Sequence, residues 1–253
     1  MHIETPLVEG RFVRRYKRFF VDVACDVPEL GTDGVVVAHC PNTGSLLGCL
    51  EPGAPVWLRD SGDPKRKLRC TWQAIRVGEH WVNVDTGLPN KVVADALRRR
   101  LVPGLADYDT VRTEVKYGAN SRVDVLLEDS AGKLPPCYVE VKNTTLAADG
   151  VARFPDAVTS RGLKHLDELG TAVEEGARAV QFFFVSRGDV EAFEPAADID
   201  PEYAAGLARA RSRGVELAAW STVVEPDRLA LDRPLEIVLR EAAPARAKAV
   251  RRR

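Results

Sequence analysis

The sequence predicts a two-part protein of β and α/β class: a small all-β unit of the oligonucleotide/oligosaccharide-binding (OB) type, then an α/β unit. Two observations carry this. Residues 7 to about 84 hold five short strand-like runs between turn signals, whereas beyond residue 86 helical apolar stripes alternate with β-branched runs. A third observation concerns chemistry: Ser121–Leu127 and Cys137–Asn143 read as strands, yet carry charge where a buried strand should be apolar.

In the first unit, residues 1–85, the runs are Arg11–Ala24, Gly34–Cys40, Ala54–Leu58, Leu68–Arg76 and Trp81–Val84. Pro28–Gly34, Pro41–Gly44, Pro52-Gly53, Ser61–Pro64 and Gly78-Glu79 separate them. Five strands in so short a span suit a small closed or partly open OB-type barrel. Arg11, Arg14, Arg15, Lys17 and Arg18 crowd among Phe12, Tyr16, Phe19 and Phe20, and Lys65, Arg66, Lys67 and Arg69 form a second cluster. Most charge runs only solubilise a surface. Interleaved aromatic rings, however, suit a phosphate backbone with unstacked bases. Arg14, Arg15, Tyr16, Lys17, Arg18, Lys65, Arg66 and Lys67 are therefore candidate DNA-binding residues.

The second unit, residues 86–240, opens with a helix that Asn90 is expected to cap, its apolar side formed by Val92, Val93, Ala96, Leu97 and Leu101. Pro103 and Gly104 end it. Three strands follow: Thr113–Tyr117, Ser121–Leu127 and Cys137–Asn143. A helix over Thr159–Gly170 comes next, then Ala179–Val185, an apolar run fitting a strand buried on both faces. Asp200 and Pro201 supply the cap and first turn of a last helix, which Gly214 closes before a strand at Val215–Trp220. On the Thr159–Gly170 wheel, Leu163, Leu166 and Leu169 share one arc, while Arg161, Lys164, His165 and Glu168 occupy the other. That basic arc is expected beside the charged strands, where it would hold phosphate.

Strand side chains alternate, so Glu140 and Lys142 point to one face and Val139 and Val141 to the other. Asp124 sits between Val123 and Val125 on the preceding strand. Glu-x-Lys on a solvated strand is common and carries little alone. Here a hairpin turn at Gly118-Ala119-Asn120, centred on Ala119, would set Glu114 opposite Asp124 and Lys116 opposite Arg122. Glu114, Asp124 and Glu140 would then converge, and their mutual repulsion would be costly without a cation. Hard oxygen donors beside an ammonium are what metal-assisted phosphodiester cleavage requires. Asp124, Glu140 and Lys142 are the candidate catalytic residues. Asp124, Glu140 and Glu114 are the candidate ligands of Mg²⁺ or Mn²⁺, and Arg122, Arg161, Lys164 and His165 the candidate phosphate contacts nearby.

At 45% hydrophobic and 29% charged over 253 residues, the chain has a globular composition, and a net charge of −1 makes no argument for nucleic acid. No apolar run approaches the ~20 residues that span a bilayer, and the N-terminus lacks a signal-peptide layout. Five widely spaced cysteines without C-x-x-C read as free, buried thiols in a reducing cytoplasm, not as a zinc site. Residues 241–253, with Arg246, Lys248, Arg251, Arg252 and Arg253, read as a disordered basic tail. Arg187-Gly188-Asp189 reads as a loop.

Over about residues 7–220 the chain resembles the sugar fermentation stimulation protein family of bacteria and archaea. The matching blocks include Arg15-Tyr16-Lys17-Arg18-Phe19, His39-Cys40-Pro41-Asn42-Thr43-Gly44-Ser45, Arg66-Lys67-Leu68 and Leu88-Pro89-Asn90. Further along come Glu114-Val115-Lys116-Tyr117-Gly118, Ser121-Arg122-Val123-Asp124, Glu140-Val141-Lys142-Asn143, Phe154-Pro155-Asp156-Ala157-Val158-Thr159, Arg161-Gly162 and Lys164-His165-Leu166. The departures, Leu46 for a usual methionine, Thr144 for a usual valine and a longer basic tail, spare the acidic residues. The resemblance implies an OB-type barrel joined to a PD-(D/E)xK nuclease-like domain, with Asp124, Glu140 and Lys142 in the nuclease motif positions. It also implies DNA binding and a link to regulation of sugar (maltose) metabolism. Two functions follow as expectations: a metal-dependent DNA phosphodiesterase acting on single- or double-stranded DNA with little sequence preference, or a non-catalytic DNA-binding regulator.

Overall fold

The computed structural model describes residues 1–3, 7–117 and 121–239; the expected turn at 118–120 and the basic tail at 241–253 lie outside the described residues. The first unit holds six strands: β1 (Leu7–Tyr16), β2 (Phe20–Ala24), β3 (Val35–His39), β4 (Pro55–Asp60), β5 (Cys70–Val77) and β6 (His80–Asn83). They pair in the order β3-β2-β1-β4-β5-β6, and a further parallel pairing of His39 with Thr71 links β3 to β5. Five strands thus follow one another in a ring. Their inner faces meet in one apolar cluster that includes Phe12, Val21, Val36, Leu58, Trp72 and Ile75, together with Cys25, Cys40, Cys49 and Cys70. All five cysteines are free and buried. Burial pushes the Cys49 and Cys70 thiols up to about 11 and that of Cys137 to about 12, so they pack as small apolar groups.

The turn chemistry explains one difference from expectation. Gly78, at φ 58, closes the β5–β6 hairpin where a glycine turn was legible. The Arg11–Ala24 run, expected as one strand, is two, folded back at Lys17–Phe19. Lys17 and Arg18 take φ 48 and 62, a left-handed conformation that glycine or asparagine usually adopts, so nothing local announced the turn.

Strands give way to helix between Asn83 and α1 (Pro89–Arg98). The second unit continues with β7 (Thr110–Tyr117), β8 (Ser121–Glu128), β9 (Cys137–Thr144), β10 (Ala147–Ala148), β11 (Val151–Phe154) and α2 (Ser160–Glu174). After these come β12 (Arg178–Val185), β13 (Ala192–Pro195), α3 (Pro201–Ser212), β14 (Glu216–Glu225), β15 (Arg228–Pro234) and β16 (Glu236–Ile237). The main sheet runs β15-β14-β12-β9-β8-β7, parallel at β9, β12 and β14 and antiparallel towards both edges. Strand β12 is the spine of two cores. Phe182 and Phe184 pack under α1 with Val139 and Val141, whereas Phe183 and Val185 pack under α2 and α3 with Leu166 and Tyr203. A burial on both faces explains its unbroken apolar sequence. The short strands β10-β11-β13-β16 form a separate small sheet. No helix among the described residues is long and apolar enough to cross a membrane.

The units meet along a polar seam. Asn83 N–H donates to the Ser186 carbonyl at 2.9 Å, and Ser45 Oγ and Leu46 N–H donate to the Asp156 carbonyl and carboxylate at 2.7 and 2.8 Å.

Candidate active site

The β7–β8 hairpin keeps the expected register: Val115 pairs with Val123, Lys116 with Arg122 and Thr113 with Val125. Glu114 drops out of the ladder. Its φ of 55 turns the backbone left-handed, and its side chain is exposed. The expected convergence of three carboxylates is therefore not observed, and among the described residues no three or more His, Cys, Asp or Glu side chains are grouped to hold a metal. Two carboxylates remain together.

These two owe their position to a break in the sheet. The β8–β9 ladder stops at Val125–Val139, one step before Asp124 would face Glu140. Past this point a side chain replaces the missing backbone partner: Asp124 Oδ2 accepts the Val141 N–H at 2.7 Å. Its Oδ1 accepts from Asn90 Nδ2 at 2.8 Å. Asn90 is not a cap. Helix α1 begins one residue earlier, with Pro89 in its first turn and no side-chain cap, which frees the Asn90 amide for Asp124. Sequence reasoning missed this residue, although Pro89 is a helix-start signal that would have moved Asn90 inside the helix.

Glu140 and Lys142 share the face of β9 that looks towards α2, as alternation requires. Glu140 is 2% exposed, and its Oε1 receives Lys142 Nζ at 2.6 Å and the ring Nδ1 of His165. Its other oxygen, Oε2, is buried with no hydrogen-bond partner. Gln181, fully buried on the neighbouring β12, donates to the Glu140 backbone carbonyl at 3.0 Å. The electrostatics of the carboxyls diverge. Burial and then the Glu140 charge push Asp124 up to about 6. Burial also works to raise Glu140, but His165 and Lys142 outweigh it and hold this carboxyl below its ordinary value.

His165 departs from the expected polar arc. Helix α2 starts at Ser160, capped by Thr159 Oγ1, which accepts the Gly162 N–H at 3.1 Å. A Cβ on Gly162 would lie 2.8 Å from the Thr159 side chain and 3.1 Å from Tyr203, so only glycine permits this close seating. So seated, α2 turns His165 inward to 7% exposure. It is a neighbour of Glu140, not a surface contact for phosphate. Arg161 stays exposed and donates from Nε to His165 Nε2 at 3.3 Å. Lys164 is exposed, pairs with Glu168 at 3.4 Å, and lines a 680 Å³ groove with Lys116 and Tyr138. Asp167, Glu168 and Glu175 line the same groove and offset its lysines. A larger cavity of 760 Å³ lies away from this chemistry, between α1, β14 and β15.

The first-unit candidates divide. Arg14 pairs with Asp22 at 2.7 Å, and its guanidinium lies over the Tyr16 ring. Arg15 is engaged internally, donating to the carbonyls of Asn42 at 2.7 Å, Gly44 at 2.9 Å and Arg18 at 3.1 Å. It is half-buried and ties the β1–β2 hairpin to the loop that meets Asp156. Lys17, Arg18 and Phe19 project at the hairpin tip, and Lys65, Arg66, Lys67 and Arg122 are exposed.

Comparison with known proteins bears on all of this. The model described as the N-terminal OB domain of the sugar fermentation stimulation protein matches residues 13–84, and that of its RE domain matches residues 87–228. A sugar fermentation stimulation protein homolog of Rhodospirillum rubrum is 51% identical, covering 89% of this chain and 94% of its own. One from Maricaulis maris is 46% identical, covering 94% and 99%. Among solved structures, Pyrococcus furiosus SfsA in complex with Ca²⁺ superposes with a TM-score of 0.82 at 27% identity, over 94% of this chain and 98% of that one.

Proposed function

The chain belongs to the sugar fermentation stimulation protein family, and from that premise we propose that it is a divalent-metal-dependent DNA phosphodiesterase with little sequence preference. In this reading the first unit is an OB-type barrel that tracks the strand and the second a PD-(D/E)xK nuclease-like domain. One observation carries the proposal: Glu140 Oε2, a buried carboxylate oxygen without a donor, lies on the residue whose charge helps to raise Asp124. An orphaned buried acceptor beside a carboxyl that resists ionising is unfavourable by itself and fits a hard cation. The related Pyrococcus furiosus protein was solved with Ca²⁺, a cation of the same hard, oxygen-seeking kind.

Asp124 and Glu140 would hold Mg²⁺ or Mn²⁺, which supplies Lewis acidity and an acidified water when bound. Lys142 would orient the attacking water through its ammonium, and Asn90 steadies Asp124 by donating to Oδ1. The exposed Lys17, Arg18 and Phe19 tip, with Lys65, Arg66, Lys67, Arg122, Arg161 and Lys164, supplies phosphate contacts and stacking. The test is incubation of the protein with labelled single- and double-stranded DNA, with and without Mn²⁺, beside Asp124→Asn and Lys142→Ala. Metal-dependent cleavage lost in both variants is expected. Binding by the wild type without any cleavage overturns the enzymatic reading and leaves the DNA-binding regulator.

A further inference from the structure

Three facts about one side chain stand together. His165 is 7% exposed, both of its ring nitrogens are engaged, and one of them meets a candidate cation ligand. Arg161 Nε can only donate, so His165 Nε2 must accept. In the neutral ring the proton then sits on Nδ1 and is donated to Glu140 Oε1. Lys142 Nζ donates to the same oxygen at 2.6 Å. Its 3.2 Å approach to Nδ1 is thus a contact of two donors that share an acceptor, not a bond between them. Both donors fall on one oxygen of Glu140, and the other is left bare.

We propose that Arg161 and His165 form a positioning chain for the metal site: Arg161 selects the His165 tautomer, and His165 fixes Glu140 so that Oε2 is presented to the cation. This rests on the metal-site reading above. A terminal carboxylate torsion is broad and soft, so an unrestrained glutamate would present either oxygen or neither. Lys142 alone, on a flexible stem, fixes a distance but little direction, whereas a planar ring held at both nitrogens fixes both. Outer partners of this kind typically change metal affinity about 10- to 100-fold when removed. His165 touches neither substrate nor the reacting atoms and is a positioning residue.

The test is Mn²⁺ binding to the full chain in the absence of DNA, read by calorimetry and by the electron paramagnetic resonance signal of free Mn²⁺. His165→Leu should weaken binding at least about 10-fold. His165→Gln, whose amide still offers a donor to Glu140 and an acceptor to Arg161, should stay within about threefold of wild type. Arg161→Met, at an exposed position where folding is not at risk, should weaken binding by a few-fold while Lys142 remains in place. Wild-type binding with unchanged affinity in His165→Leu overturns the positioning chain and leaves the metal site standing. If His165→Leu does not fold, unchanged affinity in Arg161→Met overturns it instead. No Mn²⁺ binding by the wild type removes the metal site and the chain together.

Discussion

A carboxyl held at about 6 is charged at neutral pH only at a cost, and Asp124 is such a group. Its folded value lies above the ordinary 3.8, so its contribution to stability is full below about 4 and is lost as pH rises through about 6. The penalty at pH 7.5 is at most about 3 kcal/mol, from 1.36 kcal/mol per unit. Asp124→Asn removes it but turns an amide against one of the two donors that Asp124 now accepts from, Val141 N–H and Asn90 Nδ2. A flip of the Asn90 amide offsets part of that loss of about 1–2 kcal/mol. Without metal, Asp124→Asn should therefore gain on the order of 1 kcal/mol at pH 7.5 and lose this advantage by pH 4, as measured by urea unfolding in chelator. Glu140 has the opposite sign. Its carboxyl lies below its ordinary value, so its contribution is present above that value and is lost as pH falls through the folded one. Glu140→Gln leaves the Lys142 ammonium, 14% exposed, without its counterion and should destabilise by about 2–4 kcal/mol under the same conditions. Repulsion alone, the expectation from sequence, would have made both substitutions stabilising. A gain in Glu140→Gln would mean that the Lys142 and His165 contacts contribute little.

At the scale of elements, the basic residues of the β1–β2 hairpin differ in what they touch. Lys17 and Arg18 project at the tip with Phe19, which is 49% exposed, whereas Arg14, though exposed, pairs with Asp22, and the half-buried Arg15 donates to loop carbonyls. Each phosphate neutralised contributes about 0.7–0.9 to the slope of log affinity against log salt. Replacing Lys17 and Arg18 with alanine should flatten that slope by about 1.5 for all DNA sequences, with little change in melting temperature. Arg15→Ala should instead lower the melting temperature, because four carbonyls lose a donor. An unchanged slope in the double variant would move the DNA surface off the hairpin. The register of β7 with β8 was legible in sequence because a hairpin is a local object. The left-handed Glu114 inside it was not, since glutamate gives no sign of a positive φ.

At the scale of the molecule, every residue assigned to the site, Asn90, Asp124, Glu140, Lys142, Arg161 and His165, belongs to the second unit. Residues 86–253 expressed alone should bind Mn²⁺ within about threefold of the full chain, while DNA affinity falls with the loss of the basic hairpin. Calorimetry on the fragment checks this, and loss of Mn²⁺ binding in a folded fragment would mean that the seam at Ser45, Leu46 and Asp156 also supports the site.

By itself the sequence determined the two classes of unit, the β7–β8 register, the Asp200 cap of α3, the free buried cysteines and the shared face of Glu140 and Lys142. Each follows from forces acting within a few residues or from composition: alternation, capping, turn closure and burial of thiols. Only the tertiary structure decided that Asn90 reaches Asp124 across 34 residues, that His165 turns inward to Glu140 across 25, and that Arg15 serves a loop 27 residues away. It also decided where the β8–β9 ladder ends and so which side chain accepts the Val141 N–H. Such pairings depend on where two elements dock and on which buried donors lack acceptors there, and no local propensity carries that information.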